Sequence, residues 1–516
     1  MKISNLILFI TIFTSDIYSQ NELPIISQLR SELQNNLLTI SFDVSDTDNP
    51  LLDIQCRIYS LDAMSLHQEI QPLQWSGDIG FPIVPGLNKK IQITLDPMLS
   101  FQNIRVALKV SDREPLNIQE ILNQVDTHSL RMTVMDIQGK RNNNDKPFYE
   151  FCRNYLFNRF DKSLFTRRLD FTQGNISASN FECTQYGFDL PSEITVIDAH
   201  YDSFGNSPGA DDNASGVAGV LEAHRLLSKY CSKSSLRYLL FDLEEAGLIG
   251  SLIYVSNQVS KRETIANVLN YEMIGFYTDS PFTQDLPVGF NILFPEAYNK
   301  LIQNDRKGNF ITNVANTSSS KLKTIFETNA ATYVPALNVI SLEVPGNGSI
   351  APDLRRSDHA SFWDKSIPAL MLTDGANFRN KKYHTSMDSF HLLNFNFMSN
   401  VIKTSIATAI ELCKIEHATC KDISVNLTTS THDFTSKQLS VSYLNHNIFI
   451  RTRHIYNNCK IKLFNMQGTV LLNNPMAVLS QKETIITCPN IQPGIYFLQL
   501  ESNGSSYLTK FIVHDN

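Results

Sequence analysis

Short stretches that alternate apolar and polar residues open the chain, at 38–44, 54–59, 91–95 and 104–110, with turn-forming runs such as Asp46-Thr47-Asp48-Asn49-Pro50 between them. Period-two alternation broken by turns predicts a small β-sandwich. The pattern then changes. Residues 194–199, 236–241, 268–271, 338–342 and 368–372 are nearly continuous apolar runs, interleaved with helix-period segments at 217–227 and 249–259. Unbroken apolar strands between amphipathic helices predict an α/β layer with a largely parallel central sheet, buried on both faces. After a polar, Thr/Ser-rich stretch, alternation returns at 439–443, 447–452, 461–464, 484–487, 495–500 and 507–513. That predicts a second β-sandwich.

The resulting organisation is an α/β domain over residues 116–415 between two small all-β sandwich modules, at 20–115 and 439–516, with a linker at 416–438 before the last. Residues 1–19 have a positive Lys2, an apolar block at 6–13 and a small residue at Ser19, the pattern of a secretory signal. A 42% hydrophobic, 18% charged composition excludes collagen-like and mainly disordered chains. The net charge of -7, without a basic run, argues against nucleic acid as a partner. Beyond the first twenty residues no apolar run is long enough to span a bilayer, so no transmembrane anchor is expected. The eight cysteines form no C-x-x-C pair, so a zinc finger or thioredoxin-type site has no support. Cys413–Cys420 and Cys459–Cys488 are the local disulfides expected, with free buried thiols as the alternative.

Polar residues gather where the central strands end. His200-Tyr201-Asp202 follows the first strand, Gly209-Ala210-Asp211-Asp212-Asn213-Ala214-Ser215-Gly216 leads into a helix, Asp242-Leu243-Glu244-Glu245 closes the next strand, and Glu272 the one after. His384 and Asp388 lie before the last helix. Open α/β sheets form sites beyond the carboxyl ends of their strands, so these residues converge on one crevice. Histidine nitrogen and carboxylate oxygen are zinc ligands, and a hydrolytic pair of ions needs a bridging carboxylate. An aspartate locked between Gly209 and a helix start suits bridging. Of the adjacent Glu244 and Glu245, one can ligate while the other acts as general base.

These strings, with Glu272-Met273-Ile274-Gly275, Ser357-Asp358-His359 and Tyr383-His384-Thr385-Ser386-Met387-Asp388, resemble metallopeptidase family 28, the dizinc aminopeptidases. The resemblance implies two zinc ions per chain: His200 and Glu272 on one, Glu245 and His384 on the other, and Asp211 bridging. It implies Glu244 as general base to a zinc-activated water, Asp202 orienting His200, and Asp212 off the metal. Glutamate stands at 272 where the best-known aminopeptidases carry aspartate. Peptides are the implied substrates. The first module resembles a fibronectin-type-III domain in pattern. Residues 439–516, with Lys462-Leu463-Phe464-Asn465-Met466-Gln467-Gly468, Pro493-Gly494-Ile495-Tyr496 and Lys510-Phe511-Ile512-Val513, resemble a type IX secretion sorting domain. That implies the type IX machinery as a partner, and a secreted or cell-surface location reached through the periplasm.

Two other functions fit the same frame. A glutaminyl-peptide cyclotransferase-like acyltransferase would use a single zinc but lacks the Asp-Asp-Asn-Ala-Ser-Gly string. A non-catalytic surface adhesion protein would show a degenerate ligand set. Several conspicuous residues have plainer readings: Asp358 and His359 as structural, Tyr201 and Tyr383 as packing or rim residues, His224 as inert, and Asp279 as part of a polar loop.

Overall fold

Strand Leu190–His200 carries Ile194, Val196, Ile197 and Ala199, all fully buried. Successive side chains of a strand point to opposite faces. Ile194 and Val196 therefore enter one core, with Leu239, Tyr254, Phe362 and Trp363. Ile197 and Ala199 enter the other, with Val217, Leu221, Ile402 and Ile406. Helices Gly216–Leu227 and Phe395–Cys413 supply that second face, and His359–Trp363 and Pro295–Gln303 help cover the first. A strand that feeds two cores has no polar side, which is why its sequence reads as an unbroken apolar run.

This computed structural model describes residues 21–61, 66–96, 103–162 and 164–427, and, near the C-terminus, 439–444, 447–452, 456–465, 469–479, 484–488, 491–502 and 505–513. The expected signal at 1–19 lies outside the described residues, as do 428–438 of the expected linker. The central sheet has eight strands in the order Val339–Val344, Ile311–Asn316, Ala369–Thr373, Thr264–Tyr271, Leu190–His200, Ser234–Phe241, Ile176–Gln185 and Phe165–Gln173. It is parallel through its middle and antiparallel at the Ile176–Phe165 edge and at the Ile311–Ala369 pair. The fold is thus α/β with a mixed, centrally parallel sheet, flanked by all-β modules.

One of those modules is assembled from both ends of the α/β domain. Strands Ile25–Gln34, Leu37–Ser45, Gly86–Thr94 and Gln74–Gly77 form its first sheet. The second holds Leu52–Leu61, Leu66–Glu69, Gly80–Ile83 and Asn103–Ser111, and is extended by Ala418–Asn426. Ala418–Asn426 pairs with Asn103–Ser111 in unbroken register, from Ala418 opposite Ser111 to Asn426 opposite Asn103. This corrects the expected linker at 416–438: Ala418–Asn426 within it is a sheet strand, and Val425 lies in the sandwich core.

The expected Cys413–Cys420 disulfide is corrected too. Cys420 is bonded to Cys231, 189 positions away, and Cys413 is a free buried thiol. Cys231 lies in strand Cys231–Ser232 beside the α/β domain, so the bond ties the sandwich to the α/β domain. Arg105 of the sandwich donates to the carbonyls of Tyr186 and Gly187, both at 3.3 Å, and a shared cluster of Tyr59, Tyr186 and Phe188 strengthens the same seam. Cys488 is likewise unpaired, so Cys459–Cys488 is not a disulfide. The C-terminal segment forms two further sheets, Leu439–Leu444, Asn447–Thr452 and Thr484–Thr487 against Val470–Leu479, Tyr456–Asn465, Gly494–Ser502 and Ser505–Val513, around Ile448, Ile450, Ile461, Leu463 and Leu498. Among the described residues no helix is long and apolar enough to cross a membrane.

Candidate metal centre

Three parallel strand ends and two loops build the site. His200 is the last residue of the central strand and is wholly buried. Just beyond it, Asp202 accepts hydrogen bonds from the backbone N–H groups of Glu244 and Glu245, both at 3.1 Å. Its Oδ1 also stands 3.3 Å from His200 Nδ1. One carboxylate therefore registers two neighbouring strand ends and faces the imidazole, a wider role than orienting His200 alone. Leu243, before the glutamates, and Met273, after Glu272, have φ of 55° and 57°. Left-handed residues turn the chain sharply at each strand end, which brings the glutamates over the crevice.

The loop from Gly209 is held from both sides. A side chain on Gly209 (φ 59°) would meet the Asp212 carbonyl oxygen at 2.2 Å, so glycine is required. The buried Arg141 guanidinium donates to the carbonyls of Ile137, Tyr201, Pro208 and Gly209 at 2.6 to 2.8 Å. Asp388 accepts from the N–H of Asp212 at 3.1 Å and from that of Asp211. Asn213 links the loop to the Glu272 strand, donating to the Tyr271 carbonyl at 2.8 Å and accepting from Met273 N–H at 3.2 Å. The Asp212–Asn213 peptide is cis.

This arrangement corrects the expected roles of the two aspartates. Asp211 points away, its carboxylate accepting from Asn380 Nδ2 at 2.9 Å and Gly275 N–H at 3.1 Å. Asp212 stands between the histidines, with Oδ1 3.4 Å from His200 Nε2 and Oδ2 3.1 Å from His384 Nε2. Glu272 Oε2 lies 3.4 Å from His200 Nε2, and Glu245 Oε2 3.1 Å from His384 Nε2. Glu244 is further off, its Oε2 3.9 Å from His200 Nε2. Two clusters able to hold a metal ion result, His200 with Glu244 and Glu272, and Asp212 with Glu245 and His384. Of the expected set, His200, Glu244, Glu245, Glu272 and His384 come together, Asp202 supports them, and Asp211 does not join.

The donors suit zinc. Nε2 of both histidines and Oε1 of Glu245 are buried with no hydrogen-bond partner, and the set is imidazole nitrogen plus carboxylate oxygen. The electrostatics also call for cations. Burial, with Asp212 nearby, pushes the Glu245 carboxyl up to about 8. Burial and the neighbouring Glu272 and Asp358 drive Glu244 well above the carboxylate range, although His200 pulls the other way. Burial would lower His384, but the Asp212 and Glu245 carboxylates beside its Nε2 prevail and raise it to about 9. Protons on the imidazoles thus balance crowded carboxylates, a balance that divalent ions can take over.

Other residues fall where their chemistry puts them. Ser357 Oγ donates to Glu272 Oε2 at 2.7 Å, so the Ser357-Asp358-His359 string touches the site through its serine. In the sequence the family resemblance marks this string, and it reads Asp358 and His359 as structural without giving Ser357 a role. His359 packs edge-on against Trp363 and is held down to about 3 by burial. His224 is buried between Phe160 and Tyr238 and held to about 4 by burial. Tyr201 hydrogen-bonds to Asp242 at 2.6 Å, outside both clusters. Asp279 accepts from Tyr277 at 3.0 Å and Asn309 at 2.9 Å in an exposed loop. Arg141 and Phe204 had no signal in the sequence pattern.

Beside the Glu272 side of the clusters a cavity of about 190 Å³ opens, walled by Phe290, Phe294, Phe310, Leu342, Ala351 and Met371. Glu272, Arg356 and Tyr383 are among its polar lining residues.

Residues 189–409 match the family described as peptidase family M28, and residues 437–514 match the secretion system C-terminal sorting domain. The chain is 33% identical over 230 residues to the uncharacterized protein YfbL of Escherichia coli, covering 40% of this chain and 64% of that one. It is 40% identical over 86 residues to an aminopeptidase of Pseudomonas aeruginosa, covering 16% of each chain. The chain thus spans less than two thirds of these relatives. Among solved structures, the LapA aminopeptidase of Legionella pneumophila is 22% identical with a TM-score of 0.45, over 57% of this chain and 74% of that chain.

Proposed function

We propose that this chain, whose residues 189–409 form a peptidase family M28 domain and whose residues 437–514 form a C-terminal sorting domain, is an exported zinc-dependent aminopeptidase. One observation carries the reading: the two oxygens of Asp212 face different histidines, His200 and His384. A carboxylate so divided could bridge two ions. His200 and Glu272 would hold one zinc, Glu245 and His384 the other, and Asp212 both. A single-ion acyltransferase would leave one of the two clusters without a purpose.

Zinc bound there would supply Lewis-acid polarisation of the scissile carbonyl and make an attacking water more acidic. Glu244, adjacent to a ligand but further from the imidazole, takes the proton from that water and hands it to the leaving amine. Asp202 fixes the backbone of Glu244, so the base is held at the reacting atoms. The apolar cavity receives the side chain of the N-terminal residue, and its Glu272 end places the α-ammonium among carboxylates.

The expected substrates are peptides that begin with a large apolar residue. Leucine and phenylalanine amides should be cleaved and their N-acetyl derivatives left intact. Ala351→Phe narrows the cavity and should lower kcat/KM for the phenylalanine amide by about 10- to 200-fold while sparing the alanine amide. Equal rates on free and N-acetylated substrates would exclude an aminopeptidase.

The sorting domain supports delivery to the cell surface or exterior by the type IX machinery, through the periplasm. Deleting residues 437–516 should leave active peptidase in the periplasm of the native host. Normal delivery of the truncated chain would make the module a binding domain instead.

A further inference from the structure

The two histidines are held in different ways. The His200 ring is buried, with Asp202 Oδ1 3.3 Å from its Nδ1. His384 has a side chain 24% exposed and a left-handed backbone, φ 58°. Among the described residues its ion-pair contacts run through Nε2, to Asp212 and Glu245, both at 3.1 Å. What flanks its ring is aromatic. The Phe204 centroid lies 3.9 Å away at an interplanar angle of 2°, and the Tyr383 centroid 3.7 Å away at 17°. Two rings that near and that parallel cannot share one face, so the imidazole is sandwiched.

Both outer rings are themselves pinned. Arg356 Nη2 donates to Tyr383 Oη at 3.0 Å, and its guanidinium lies 5.7 Å from the ring centroid. Asn142 Nδ2 donates to the carbonyls of Ser203 and Gly205, on either side of Phe204, at 2.6 and 2.9 Å. Phe204 is 43% exposed and belongs to no described core cluster. Its ring stacks on His384.

We propose that Phe204 is a positioning residue for His384: with Tyr383 it clamps the imidazole plane so that Nε2 is presented towards Asp212 and Glu245. Stacking does for His384 what the Asp202 carboxylate does for His200. The inference rests on the two-zinc reading above. A ring without the clamp would sample other tilts about its side-chain bonds, and the ion that depends on it would bind more weakly.

The test is competition with a chelator, together with the visible absorption of the cobalt(II)-substituted full-length protein, for wild type, Phe204→Ala and Phe204→Tyr. Phe204→Ala should weaken one ion by about 10- to 100-fold, the range for losing a group that orients a ligand, and alter one cobalt band set. The second ion and the thermal unfolding of the metal-free protein should be unchanged, and Phe204→Tyr should restore the lost affinity. Unaltered binding of both ions in Phe204→Ala, equal weakening of both, or failure of tyrosine to restore affinity would each overturn the clamp. A wild type that binds fewer than two ions would instead overturn the metal reading, and the clamp with it.

Discussion

Glu244→Gln should keep both zinc ions and lose about 10² to 10⁴ in kcat, with KM changing far less. The substitution keeps size and shape and removes basicity. Glu244 sits in the His200 cluster, but Glu272 and Asp212 are each 3.4 Å from His200 Nε2 against 3.9 Å for Glu244. With those two carboxylates as ligands, Glu244 is free to carry a proton. Asp202 holds its backbone whether or not the side chain is charged, so the variant should fold as the wild type does. Glu245→Gln is the contrast. Its Oε2 is 3.1 Å from His384 Nε2, and metal and activity should fall together. Parallel kcat and zinc assays on the two variants check the assignment. Zinc loss in Glu244→Gln would make it a ligand and remove the proposed base.

The second large effect is at the bridge. Asp212→Asn should weaken both ions at once, beyond the about 10- to 100-fold seen for groups that merely orient a ligand. An amide has one oxygen and one NH2, so it cannot offer an acceptor to both sides. Asp211→Asn should retain two ions. Its carboxylate serves Asn380 and the Gly275 N–H, and the loss there is about 1–3 kcal/mol of stability from imperfect buried hydrogen bonds. Zinc content and thermal unfolding of the pair separate the two roles.

The adjacent aspartates show how far the sequence was legible. Strand ends, helix periods and the order of His200, Glu244, Glu245, Glu272 and His384 follow from local pattern, and the sheet does bring them together. Which aspartate faces the histidines is decided by the turn at Gly209 and by Arg141 and Asp388, whose sequence positions lie far from the loop. A one-residue change at such a turn reverses direction, and no periodicity reports it. Strand Ala418–Asn426 was read as linker for a similar reason. Its Lys421 and Asp422 are exposed, and its partner Asn103–Ser111 lies on the far side of the α/β domain in sequence. The Cys231–Cys420 bond follows from that same return of the chain, so nearest-neighbour pairing could not find it. The edge hairpin Phe165–Gln185 shows no clean apolar pattern because polar Ser179, Asn180, Glu182 and Thr184 are buried among its apolar residues. Glu182 there is fully buried and paired with Arg167 at 2.7 Å. Phe204 acts through stacking across space, which leaves no spacing to read.

The most direct test of the account is a titration of zinc into metal-stripped, full-length protein, with hydrolysis of leucine amide followed against zinc bound per chain. The account predicts that activity, absent from the stripped protein, reaches its maximum at two zinc ions per chain. Full activity at one ion, or activity independent of zinc, would contradict it.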